Sequence, residues 1–220
     1  FISNLSHELR TPVSVIKANS ETLLNGALKD KKDAKIFSKA ILHNADRLSE
    51  MVTSLIDLSR IEYGELKFVI ERVVLNDLIE TIVLSHKNKA KKKSIQVLFE
   101  HESDVIVRSD AKAIERVLNN LIDNAFKYSP ENSIIEIKLK KQGEFIRLAV
   151  MDQGEGVAEE EQDLVFKRFF RTATARANTQ QGSGLGLAIV KNLVYNLQGD
   201  VGVKSISDGG SEFWFTIPIN

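Results

Sequence analysis

The sequence has no cysteine, three prolines and a single tryptophan. Without cysteine there is no disulfide framework and no thiolate metal or redox site, which fits a reducing cytoplasm. No apolar run approaches the ~20 residues that a membrane-spanning helix needs, and no signal peptide is visible. An excess of either charge is lacking too, since 30 basic and 30 acidic side chains cancel. No global field therefore points to nucleic acid or to an anionic membrane surface. What is present, 43% hydrophobic and 27% charged residues over 220 positions, suffices for a packed core in one large or two small domains. The chain starts at Phe1, without Met and inside a helical pattern, and is expected to be a fragment of a longer protein.

Residues 1–63 carry a sustained heptad. Ile2, Leu5, Leu9, Pro12, Ile16, Asn19 and Leu23 follow alternating spacings of three and four. After a break at 25–33 the pattern resumes with Phe37, Ile41, Asn44, Leu48, Met51, Leu55 and Leu58. Such spacing predicts two long helices in an antiparallel hairpin. Val13, Val15, Ala45, Val52 and Ile56 add apolar surface beside the seams. One hairpin cannot bury that much, so the expected completion is a homodimer forming a four-helix bundle. Pro12 lies inside the first helix, where it should bend the axis just after His7.

From "YGEL" (63–66) the pattern changes. "LKFVIE", "SIQVLFE" and "DVIVRS" read as strands, and Asn76 is expected to cap a helix reaching about Lys89. Asp110 caps a second helix through Tyr128. The alternating segments "SIIEIKLK" and "FIRLAVMD" follow, joined by a "KQGE" turn. A short helix, a polar stretch, a helix from about Leu185 and a terminal hairpin complete the chain. Helices grouped with a mixed sheet predict an α/β sandwich, so the expected domains are 1–66 and 67–220. The lysine cluster at 87–93 reads as a solvated helix end.

With Ile2 at heptad position a, His7 falls at f, farthest from the seam, and Thr11 faces outward one turn later. A core histidine would sit on the apolar stripe. Glu8 can orient the imidazole or take its proton, and a neutral imidazole is a competent nucleophile. In "ERVLNNLIDNAFKYS" (115–129), Asn120 and Asn124 share one helix face, with Lys127 and Tyr128 a turn further on. Carboxamide oxygens and water suit Mg²⁺, which bridges phosphates. "DQGEGV" (152–157) follows a strand directly. Asp152 can accept a hydrogen bond from a base's exocyclic amine, while Gly154 and Gly156 let backbone approach a flat ring. "GSGLGLAIV" (182–190) puts glycines at a helix start, where free N–H groups suit an anion. "FKRFFR" (166–171) combines anchoring phenylalanines with Arg168 and Arg171, either able to reach a terminal phosphate. The stretch 172–181 suits a lid.

Together these segments resemble the catalytic core of a two-component sensor histidine kinase, over nearly the whole chain. "SHELRTP" is similar to the H-box, 115–129 to the N-box, 152–156 to the G1 box, 166–170 to the F-box and 182–186 to the G2 box. The resemblance implies a phosphoacceptor hairpin followed by a Bergerat-type ATP-binding domain, with ATP and Mg²⁺ as cofactors. It implies that His7 is the phosphoacceptor, Glu8 the acid/base, and Thr11 the residue that positions water for dephosphorylating a partner regulator. It further implies that Asn124 and Asn120 hold Mg²⁺, that Lys127 and Tyr128 contact phosphates and ribose, and that Asp152 reads adenine. Gly154 and Gly156 would complete the nucleotide site with Gly182, Gly184, Leu185 and Gly186, and Arg168 would serve the phosphate. The implied partner is a response-regulator receiver domain. The full-length protein is expected at the bacterial inner membrane, anchored upstream of Phe1. Gyrase-type and chaperone ATPases share the ATP-binding fold and would lack an outward histidine followed by glutamate.

Overall fold

Two long helices open the chain. In the computed structural model, which describes residues 2–101, 104–178, 182–206 and 209–220, α1 spans Ile2–Leu24 and α2 spans Lys31–Glu62. The side chain that starts the heptad, Ile2, and the last three positions of the expected lid, 179–181, lie outside what is described. A short 3₁₀ turn, Ala27–Lys29, joins the helices. Asp30 then caps α2, its Oδ1 accepting the N–H groups of Lys32 at 2.7 Å and Asp33 at 3.1 Å. The described seam positions are buried or half-buried against the partner helix. Asn19 and Asn44 interrupt the apolar seam, but each donates its carboxamide N–H to a carbonyl one turn back, Val15 O and Ala40 O. Val13, Leu42, Val52 and Ile56 remain exposed on the hairpin.

The remainder is a mixed five-stranded sheet in the order β2-β4-β5-β7-β6, covered on one face by helices. Its strands are β2 (Gln96–His101), β4 (Ile134–Gln142), β5 (Phe145–Met151), β6 (Val201–Ser205) and β7 (Ser211–Pro218). Among the described residues, only the β2–β4 pair of this sheet is parallel. Alternation aligns across the strands: Ile137 opposes Val150, and Leu148 opposes Phe215, all facing the core. The opposite face is polar, with Glu212 paired to Arg147 and Lys204 and the Arg147 guanidinium stacked over Trp214.

Helix α5 (Ala111–Tyr128) is the centre of the helical layer. Ile114, Val117, Leu118, Leu121, Ile122, Ala125 and Phe126 repeat at helical spacing and are buried, so truncating Leu121 to Ala should cost about 2–5 kcal/mol. This burial forces the opposite stripe, including Asn120, Asn124 and Lys127, outward into the site. Beside it lie α3 (Leu75–Ser85), α4 (Lys87–Lys93) and α7 (Gly186–Asn196), and a short α6 (Ala173–Asn178) forms within the stretch expected as a lid.

Three local expectations differ. "LKFVIE" is not a strand: β1 begins at Glu71, runs to Val74 and pairs antiparallel with β3 (Ile106–Ser109). Residues before it are tethered instead, Leu66 and Phe68 packing on the core and the Val69 N–H donating to Asp110 Oδ2 at 2.6 Å. Asn76 is not a cap, because α3 starts directly after Val74 and buried Asn76 Oδ1 accepts the Val105 N–H at 2.8 Å. The helix ends at Ser85, before a separate α4. Asp110 does cap α5, through Oδ1 and the Ala113 N–H at 2.8 Å.

The last turns of α2 belong energetically to the sheet domain. Leu58 and Ile61 are each 2% exposed within its core. Asp57 pairs with Arg116 of α5, and Glu62 with Arg168.

Candidate active site

The strand β5 delivers Asp152 to a buried position at its C-terminal end, 5% exposed. Its Oδ1 accepts the Gly154 N–H at 2.8 Å. Burial pushes the carboxyl up to about 6, against the opposing pull of the Gly154 and Ser211 backbone hydrogen bonds. A carboxylate this reluctant to stay charged and this directional suits a neutral donor such as an exocyclic amine. A Cβ at Gly154 would stand 2.9 Å from Asp152 Oδ1 and 3.0 Å from the Tyr128 carbonyl. Gly156 similarly has Gly210 O and Ser205 Oγ at 3.1 and 3.2 Å from the place of a Cβ. These glycines therefore let the loop pack onto its own chain, whereas their spacing alone suggested room for a ligand ring. Ser205 ties this loop down, donating its hydroxyl to Val157 O and accepting the Val157 N–H.

The face of α5 opposite the core meets the glycine-rich loop. Asn120 donates its carboxamide N–H to Arg116 O at 2.8 Å, which leaves Oδ1 directed at the start of α7. A Cβ on Gly186 would come within 2.8 Å of that oxygen. Asn124, one turn on, is half-buried. Gly184 takes φ +68 and accepts the Phe169 N–H at 2.9 Å, joining the F-box segment to the loop. Leu185 is fully buried behind it, an anchor for the loop. Gly182 passes so close to Lys127 Nζ that a Cβ there would overlap it.

Lys127 is the electrostatic focus. Burial and the neighbouring positive charges of Arg171 and Arg47 lower it to about 8. Its Nζ lies 4.9 Å from the Tyr128 ring centroid, and burial raises the Tyr128 hydroxyl despite Arg171. Lys127 and Arg171, two cations at a half-buried point, fit a polyanion such as a triphosphate. Carboxamide oxygens on the adjoining face fit Mg²⁺. Of the two arginines in "FKRFFR", Arg168 pairs with Glu62, while Arg171 is the one whose charge bears on Lys127 and Tyr128.

His7 is exposed on α1 and Glu8 half-buried beside it. Thr11 is exposed one turn on, its hydroxyl donating to the His7 carbonyl at 3.3 Å. Pro12 is buried and has no N–H to offer the Glu8 carbonyl, the local reason for a bend. The Glu8 carboxylate faces Arg47 of α2 across the hairpin, Oε2 to Nη2 3.4 Å. Arg47 is the residue that reading the sequence missed. Its one signal was register, since counting outward from the turn at Ala27–Leu28 sets position 47 opposite position 8.

Two family models match the chain. One, described as "Histidine kinase-, DNA gyrase B-, and HSP90-like ATPase", covers residues 109–220. The other, "His Kinase A (phospho-acceptor) domain", covers residues 1–64. The sensor-like histidine kinase SenX3 of Mycobacterium tuberculosis is 38% identical over 99% of this chain and 53% of its own length. The chain thus spans about half the length of these curated relatives. Among solved structures, the Acinetobacter baumannii histidine kinase AdeS superposes with a TM-score of 0.79 at 27% identity, covering 97% of this chain and 98% of that one. The histidine kinase ThkA, solved in complex with the response regulator TrrA, gives a TM-score of 0.83 at 26% identity, covering all of this chain and 61% of that one.

Proposed function

Since this chain belongs to the two-component sensor histidine kinases, as their catalytic core, we propose that it moves the γ-phosphoryl group of ATP to His7 and thence to a response-regulator aspartate. The observation that carries the reading is an outward histidine with a carboxylate beside it, in one chain with a cationic, glycine-lined cradle. ThkA, solved with its regulator, supports a receiver domain as the partner.

The reaction follows from these groups. The His7 imidazole attacks the γ-phosphorus, an N–P bond forms, and the bond to the β,γ-bridging oxygen breaks to release ADP. Glu8 takes the imidazole proton. Asp152 orients adenine, Tyr128 lies along the ribose, and Lys127 with Arg171 holds phosphate oxygens in line. Arg168, paired with Glu62 here, is the second arginine at hand for the terminal phosphate. Asn124 with Asn120 would hold Mg²⁺, which would supply charge neutralisation for the phosphates. The phosphoacceptor unit is 1–66 and the ATP-binding unit 67–220. Two copies pair through the exposed Val13, Leu42, Val52 and Ile56 to complete a four-helix bundle. Among the described residues no helix is long and apolar enough to cross a membrane. This core works in the cytoplasm, within a longer protein anchored at the bacterial inner membrane.

Incubation with γ-labelled ATP and Mg²⁺ tests the reading. Label retained on the protein should be alkali-stable and acid-labile, and His7→Gln should abolish it while nucleotide binding persists. Hydrolysis of ATP without retained label would overturn the proposal.

A further inference from the structure

One largely buried cation sits inside the hairpin, beside the residue that follows His7. Arg47 sits on α2, its side chain 15% exposed, with Nη2 3.4 Å from Glu8 Oε2. Its Nε is buried and has no hydrogen-bond partner among the described residues, so the guanidinium is held in place by packing and by Glu8. The same charge bears weakly on Lys127 in the nucleotide cradle. Asp57 and Glu62, further along α2, clasp Arg116 and Arg168 of the ATP-binding unit. Arg47 thus ties the carboxylate next to His7 to α2, the helix that clasps the ATP-binding unit.

We propose that Arg47 is a positioning residue for phosphoryl transfer, holding the Glu8 carboxylate beside His7 when the ATP-binding unit docks on α2. The proposal rests on the histidine kinase reading above. Glu8 projects from α1 on a flexible side chain. A base must be held within hydrogen-bond reach of the proton it removes, and an arginine fork restricts a carboxylate where a surface glutamate would otherwise sample several rotamers.

The test is a double-mutant cycle on autophosphorylation, with Arg47→Ala, Glu8→Gln and both together in the full 220-residue chain. Arg47→Ala should lower kcat by roughly 10- to 100-fold, part of the ~10²–10⁴ that a positioned base supplies, with KM for ATP changed less than about twofold. In the Glu8→Gln background Arg47→Ala should cost nothing more, because its effect runs through Glu8. Arg47→Lys should restore part of the rate, and Arg47→Ala should still dephosphorylate a phosphorylated regulator. Equal losses in both backgrounds, a rise in KM with kcat intact, or an unaltered rate each overturn the role of Arg47 alone. A wild-type chain that takes no label on His7 overturns the kinase reading and this proposal with it.

Discussion

Asp57 of α2 forms an ion pair with Arg116 of α5, one turn before Asn120, whose carboxamide N–H rests on the Arg116 carbonyl. The phosphoacceptor hairpin therefore grips the helix face that carries the asparagine pair, and it does so within one chain. Glu62 and Arg168 form a second clasp between α2 and the ATP-binding unit. A cradle docked on its own chain's α2 predicts phosphorylation in cis. Mixing His7→Gln subunits with Asn124→Ala subunits pairs an intact cradle on one chain with an intact histidine on the other. The mixture should gain no label over its components. Label appearing on the Asn124→Ala subunit would establish transfer between chains.

Asp152 couples recognition to stability. Its carboxyl is raised from an ordinary 3.8 to about 6 by burial. The folded state thus binds this proton more tightly than the unfolded one, so the contribution is fully present below pH ~4 and is lost as pH rises through ~6. The difference is of the order of 3 kcal/mol. Asp152→Asn should flatten this part of the stability–pH curve in denaturant titrations, raise stability at pH 7, and abolish the preference for ATP over GTP. A variant less stable at pH 7, or one that still discriminates the bases, contradicts the assignment.

Lys127 should announce the nucleotide by taking up a proton. It is lowered to about 8 by burial and by Arg171 and Arg47, and a triphosphate would restore its charge. Affinity for ATP should fall between pH 7 and 9. Calorimetry at pH 8.5 or so, in buffers of different ionisation enthalpy, should register net proton uptake on binding, which Lys127→Met removes. The same depression makes its stability contribution rise with pH between ~8 and ~10.5, where only the unfolded chain keeps the proton.

Thr11 should separate two activities. Its exposed hydroxyl lies one turn beyond His7, donating to the His7 carbonyl in this structure, and is free to rotate toward water. Holding a water in line lowers the barrier to hydrolysis of a regulator's phospho-aspartate. His7 needs no such water to accept phosphate. Thr11→Ala should spare autophosphorylation and reduce dephosphorylation about tenfold or more. Parallel loss of both rates on one preparation would reject the separation.

The sequence carried the hairpin well because a heptad encodes burial locally, and it placed α5 well because Asp110 and the apolar stripe mark both its start and its face. It misjudged what tertiary contacts decide. Asn76 has the side chain of a cap but gives its oxygen to the Val105 N–H, 29 residues away. "LKFVIE" alternates like a strand, yet its backbone meets the capping Asp110 and finds no strand partner there. The site was legible as separate boxes. Which arginine's charge bears on Lys127, and that Arg47 meets Glu8 across the hairpin, depended on tertiary placement no local pattern records.

The burial of Leu58 and Ile61 in the sheet domain turns α2 into a lever. The helix has 32 residues, a length of ~48 Å, and only its last turns are embedded. Arg47 lies 15 positions before Glu62, ~22 Å from that fulcrum. A tilt of only ~5° about the embedded end would displace Arg47 by ~2 Å, enough to break its contact with Glu8. A signal arriving through α1 therefore needs no large rearrangement to silence transfer; a few degrees of helix tilt suffice, and the ATP-binding unit can keep its nucleotide throughout.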